Sequence, residues 1–193
     1  LSKNRPNAGI WPQNVPAELK KKELIDKALK TYGEISHAEN DITPQVSVLG
    51  MCLPTGQESR DMTVFIDDDA RGYLIYSSEK NATTHIAELN DDYTACSGRY
   101  WRAFPWRWME APVVFKRHGK YYFIGSGCTW WYPNAARSAV ADSITGSWTE
   151  FGNPAVDKGG ETTYGSQGTY ALKLSEDEII FMADSWRWEN AVD

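Results

Sequence analysis

The chain has 193 residues, 41% hydrophobic and 24% charged, with a formal net charge of −6. These proportions suit one globular domain or a large piece of one, and the acidic balance excludes a nucleic-acid partner, since no basic stripe exists to displace counterions from phosphate. No apolar run approaches the roughly 18 residues that span a bilayer, so no membrane partner is expected.

Leu1 opens the chain without a methionine or a recognisable signal peptide, so it reads as a mature form or an excised piece, and the expected location is secreted or periplasmic. Pro16, the helical spacing of Leu19, Leu24, Ile25, Ala28, Leu29 and Tyr32, and the stop at Gly33 predict a helix over about 16–32. Lys20, Lys21 and Lys22 within it are balanced by Glu18, Glu23 and Asp26. Residues 35–58 read as loop with one strand near Val46–Leu49.

From Ser59 onward the pattern changes to short strands and tight turns. Met62–Ile66 leads through Asp67-Asp68-Asp69-Ala70-Arg71-Gly72 to Tyr73–Tyr76. About fifty residues later the unit returns: Val113–Lys116, the turn Arg117–Lys120, then Tyr121–Ile124. A third copy runs Thr169–Leu174, turns at Ser175–Glu178 and resumes at Ile179–Met182. Outer strands are expected at Thr84–Leu89 and Ser138–Ala141. A hairpin plus outer strand repeated at this period predicts an all-β fold, a β-propeller, over a β-sandwich, whose strands would follow one another at steady short spacing. Propellers close with about four to eight blades. Residues 56–193 supply two full blades and the start of a third, so the propeller reads as incomplete, and residues 1–55 form an atypical N-terminal segment.

Nine Trp and ten Tyr are many for a plain core and suit a ligand platform. Within this setting Met109-Glu110-Ala111-Pro112 puts one carboxylate before an Ala-Pro step that opens an apolar run, with Trp101, Trp106, Trp108, Trp130 and Trp131 near it in sequence. Proline lacks a donor and tends to start a strand. An acid among indoles resembles a sugar site, where rings stack on a pyranose and a carboxyl of raised pKa protonates the leaving oxygen. The bland alternative is a strand-start glutamate on a solvated rim.

Gly56-Gln57-Glu58-Ser59-Arg60-Asp61-Met62-Thr63, Tyr73–Glu79 with Asn81, Met109–Pro112, Ser126-Gly127-Cys128-Thr129-Trp130-Trp131 with Pro133–Arg137, and Thr163-Tyr164-Gly165-Ser166-Gln167 occur in unbroken order. In these motifs the chain resembles glycoside hydrolase family 43, five-bladed propeller enzymes, and most of all its exo-β-1,3-galactanase-like (galactan 1,3-β-galactosidase-like) members. The resemblance covers about 56–190; residues 1–55 depart from the family's first blade.

What the resemblance implies is an inverting, exo-acting hydrolase of β-1,3-linked galactan, with an oligosaccharide or polysaccharide as its partner. Glu110 then matches the general acid and Asp61 the carboxylate that raises the acid's pKa, although Asp61 pairing with Arg60 or with a turn remains the plain alternative. Gln167 matches the residue that holds the attacking water; an amide orients water but is a poor base, and Glu161 is the fallback carboxylate. Glu79, Asn81, Thr129, Trp130, Trp131 and Asn134 match substrate-binding positions, with Trp131 equally readable as core. Competing readings are a carbohydrate-binding or inactive propeller fragment, and a family member of arabinofuranosidase or xylosidase specificity.

Other features carry less. Asp67-Asp68-Asp69 lacks the pattern of a calcium loop and reads as a turn. His37, His85 and His118 lack metal-ligand spacing, so no metal site is expected. No cofactor is expected, and an ion in the propeller channel is implied only by the resemblance. Gly165-Ser166-Gln167 is no nucleophile elbow. Cys52, Cys96 and Cys128 are odd in number, against a disulfide framework. Asn81-Ala82-Thr83 is a glycosylation sequon, meaningful only in a eukaryotic secretory cell.

Overall fold

The structure, a computed structural model, describes residues 5–15, 17, 20 and 56–185. The helix expected over 16–32, apart from Ala17 and Lys20, and the strand expected near 46–49 lie outside the described residues.

The described chain is all-β. One antiparallel sheet runs β1 (Met62–Ile66), β2 (Gly72–Ser78), β3 (Thr83–Leu89) and β4 (Cys96–Ala103) in that spatial order. A second repeats it with β5 (Met109–Arg117), β6 (Lys120–Gly127), β7 (Arg137–Ala141) and β8 (Thr149–Gly152). After a short 3-10 segment at Gly160–Gly165, β9 (Ser166–Lys173) and β10 (Ile179–Ser185) pair as a third, two-stranded sheet. β5 packs beside β1 on one side and β9 on the other. The first strands of the three sheets therefore lie next to one another, as innermost strands of successive blades do.

Local chemistry explains the hairpins. His118 and Gly119, with φ of 47° and 72°, close β5 to β6 in a two-residue turn between paired Arg117 and Lys120, the positive-φ geometry that matches strand twist. The β1–β2 turn is held by Asp67. Its carboxylate takes Lys116 Nζ at 2.7 Å and Tyr121 Oη at 2.5 Å from the second sheet, so the Asp67-Asp68-Asp69 turn clamps two blades together.

The main core lies between the first two sheets: Tyr73, Ile75 and Ile86 pack with Phe104, Met109, Val114 and Phe123. β2 is buried along almost its whole length, because residues 5–15 cover its other side. There Asn14 trades hydrogen bonds with the Arg102 backbone at 2.8 and 3.1 Å, and Gln13 N–H reaches Tyr100 O at 2.8 Å. This occupies the free edge of β4, which would otherwise offer unpaired backbone.

Two readings from the sequence need correction. β4 and β8 were not anticipated: Cys96-Ser97-Gly98-Arg99 lacks a clean apolar alternation, and all four residues of β8 are exposed. Pro112 does not start its strand. It sits inside β5, where the register to β6 slips between Glu110 and Val113, and a bulge is the interior position that tolerates a residue without a donor.

Candidate active site

Asp61 immediately precedes β1, Glu110 is the second residue of β5, and Gln167 is the second residue of β9. Repetition of the blade thus brings three residues far apart in sequence to the same end of adjacent strands. The Ala111 N–H donates to Asp61 Oδ2 at 3.2 Å, directly linking the first two positions. That donation is available because Ala111 holds φ at 50° inside the bulge.

The second strand of each complete sheet adds a serine that the sequence reading missed. Ser77 donates to Met109 O at 2.9 Å, and Ser126, paired with Glu110 in the register, accepts from Gln167 Nε2 at 2.8 Å. Each serine therefore ties its own blade to the start of the next. The signal was the recurrence of Ser at matching repeat positions. In the third sheet the residue across from Gln167 is Asp184, whereas Glu161 accepts from the Gly159 N–H at 3.0 Å in the 3-10 segment.

Glu110 opens into a cleft of about 870 Å3 lined also by Arg60, Asn81, Trp108, Cys128, Thr129, Trp130 and Asn134. Its carboxyl is raised above the ordinary value, first by burial and then by the nearby Asp61 charge, with Arg60 and a hydrogen bond to Cys128 pulling the other way. The Cys128 thiol is pushed up to about 12 by burial and by the Glu110 charge, which keeps it protonated at neutral pH. The Asn81 amide Nδ2 donates to Glu110 Oε1. With Asn81 only 8% exposed, its sequon has no free amide to carry a glycan.

The loop after β6 shapes the far wall. Asn134 grips Gly127 through both amide atoms at 2.8 and 3.0 Å and donates to Thr129 Oγ1 at 2.6 Å; Thr129 donates on to Tyr132 O at 2.6 Å. Their polar atoms are engaged in holding the loop, and the result is to project Trp130, 89% exposed. Trp131 is 57% exposed, so it is not a core residue, and it stands with Trp130 and Gln167 along a narrow crevice beside the cleft. Glu79 does not line the cleft. It is 2% exposed and is clasped by Arg102 at 2.6 and 2.7 Å and by His85 Nε2 at 2.9 Å. Burial opposes its charge, but His85 and Arg102 outweigh that and hold the carboxyl far below its usual range.

A half-buried carboxyl of raised pKa with a second carboxylate, an amide and an exposed indole nearby is an arrangement that can protonate a leaving oxygen above a stacked ring. Among the described residues no cluster of His, Cys, Asp and Glu could hold a metal ion. Residues 38–178 match the family model for glycosyl hydrolases family 43.

The chain belongs to glycosyl hydrolases family 43.

Among solved family structures it is similar to the β-1,3-galactosidase BT3683 with galactodeoxynojirimycin, at 43% identity and a TM-score of 0.83, over 95% of this chain and 53% of that one. It is also similar to the exo-β-1,3-galactanase 1,3Gal43A of Clostridium thermocellum (33% identity, TM-score 0.63, 70% of this chain and 29% of that one). A curated relative, β-D-galactofuranosidase xynD of Aspergillus niger, is 33% identical over 65% of this family 43 chain and 36% of its own length. The chain thus spans about half or less of the relatives it matches.

Proposed function

We propose that this chain carries the acid-bearing part of an inverting, exo-acting glycosidase that removes galactose from β-1,3-linked galactan. Glu110 is the general acid, Asp61 the neighbour that keeps it protonated, and Gln167 the amide that orients water. The observation that carries the reading is the Glu110 carboxyl itself: half-buried, raised by burial and by Asp61, and open to a cleft walled by Trp108 and Trp130. The similarity to β-1,3-galactosidases supports the choice of sugar. The Aspergillus relative favours one competing reading, a furanoside substrate on the same machinery, since fold does not fix specificity.

Proton NMR of the chain with β-1,3-galactobiose tests both reaction and stereochemistry. Early appearance of α-galactose is the expected outcome. Early β-galactose would refute inversion, and release from a β-galactofuranoside alone would select the furanoside reading. Glu110→Gln is expected to lower turnover by about 100-fold or more, the usual scale of general acid catalysis, with little change in galactose binding. Equal loss of binding and rate would mark Glu110 as structural.

A further inference from the structure

Glu79, Lys80 and Asn81 form the turn between β2 and β3, and all three hold left-handed backbone, with φ of 52°, 57° and 70°. Asparagine tolerates that region, whereas glutamate and lysine enter it rarely, and such a run persists only where its surroundings over-determine it. Those surroundings are visible. Besides the Arg102 clasp on Glu79, His85 Nδ1 lies 3.2 Å from Tyr76 Oη, which accepts from Asn7 Nδ2 at 2.5 Å. From the other side, the Lys80 N–H donates to Glu58 Oε1 at 2.7 Å. Two residues beyond Glu79, the Asn81 amide meets Glu110, and its Oδ1 is buried without a partner.

Strain and buried charge are thus both concentrated on a turn whose contact with the cleft's acid is one amide. We propose that Glu79 is a positioning residue for Glu110: gripped by Arg102 and His85, it holds the left-handed turn that presses the Asn81 amide onto the acid's carboxyl. Glu79 then acts at one remove from the sugar instead of on it. This role rests on the reading of Glu110 as proton donor for its meaning in catalysis, though its geometry does not.

Other groups also face Glu110: Asp61 and Arg60 from the segment before β1, Cys128 after β6 with Arg137 of β7 close to its thiol, and Lys80 at the cleft wall. The direction of response separates positioning from charge. An N–H donor favours the ionised carboxylate, so losing the Asn81 contact raises the Glu110 midpoint; removing a negative charge at Glu79 would by itself lower it.

The test is a 13C-carboxyl NMR titration of the full chain labelled at glutamate, with Glu110 assigned through Glu110→Gln. Asn81→Ala is expected to raise the Glu110 midpoint by roughly half a pH unit or more. Glu79→Gln should raise it in the same direction, and should add nothing when combined with Asn81→Ala. Arg102→Lys keeps the charges but loses the two-pronged grip; it should also raise the midpoint, and it carries the comparison alone if Glu79→Gln does not fold. A midpoint that stays or falls in the folded variants overturns the proposal, as does an unmoved midpoint in Asn81→Ala. The titration needs no turnover, so failure of the glycosidase reading would appear separately, as absent galactose release by the unaltered chain.

Discussion

At the residue scale, the chemistry turns on a pair of carboxyls whose environments differ. Glu110 is half-buried and raised, while Asp61 lies just before the neighbouring strand β1 and takes the Ala111 N–H. The Asp61 charge favours the protonated form of Glu110, adding to the effect of burial. A general acid works while it holds its proton, and its rate falls as pH rises through its pKa. Asp61→Asn removes the charge, lowers the Glu110 pKa and is expected to move the alkaline limb of the pH–rate profile to lower pH; a limb that does not move would remove Asp61 from that role. The pairing was legible in the sequence because Asp61 and Glu110 fall at matching positions of a repeat. The engagement of Glu79 by Arg102 and His85 was not, because the partners come from β3 and β4, and β4 has no clear signature in the sequence.

At the scale of elements, the blades are joined by a few specific contacts across their first strands. Asp67 is the clearest. Burial alone would raise its carboxyl, but the hydrogen bonds from Lys116 and Tyr121 outweigh burial and leave it below its ordinary 3.8. A lowered folded pKa means that its stabilisation is present above about pH 4 and fades as pH falls through the lowered value. Asp67→Asn is expected to cost about 2 kcal/mol at neutral pH by urea denaturation, since it leaves Lys116 without its main partner, and to cost progressively less in acid. A pH-independent loss would assign the effect to the turn backbone. The close approach of β9 to β5 at Gly168 follows the same logic of tight blade contact: a Cβ there would lie 2.9 Å from Val113 and 3.0 Å from Phe181.

At the scale of the whole molecule, the described chain keeps an apolar surface. On β1, Met62, Val64 and Ile66 are 47%, 46% and 53% exposed, and on β9 and β10 the cross-strand partners Leu172 and Ile180 are 43% and 45% exposed. Side chains of this kind on inner strands of a propeller are covered when further strands pack on them; here they face outward. The folded chain is expected to bind a hydrophobic dye such as ANS and to scatter light increasingly with concentration. Leu172→Lys with Ile180→Lys should reduce both signals without lowering the thermal midpoint, because neither side chain is buried. No dye binding by the unaltered chain would show that these surfaces do not behave as an exposed apolar patch.

The residues by themselves determined the repeat, and with it the all-β blades, the hairpins and the alignment of Asp61 with Glu110, because strand periodicity and turn chemistry are local properties read every few residues. Tertiary structure alone decided which side chains share an environment. It placed Pro112 in a bulge instead of at a strand start, committed Asn134 and Thr129 to shaping a loop, and exposed both Trp130 and Trp131. It also withdrew Glu79 from the cleft into an ion cluster built from separate strands. Burial and charge pairing depend on which strands meet, and no local pattern in Glu79 or its neighbours encodes that Arg102 lies across the sheet.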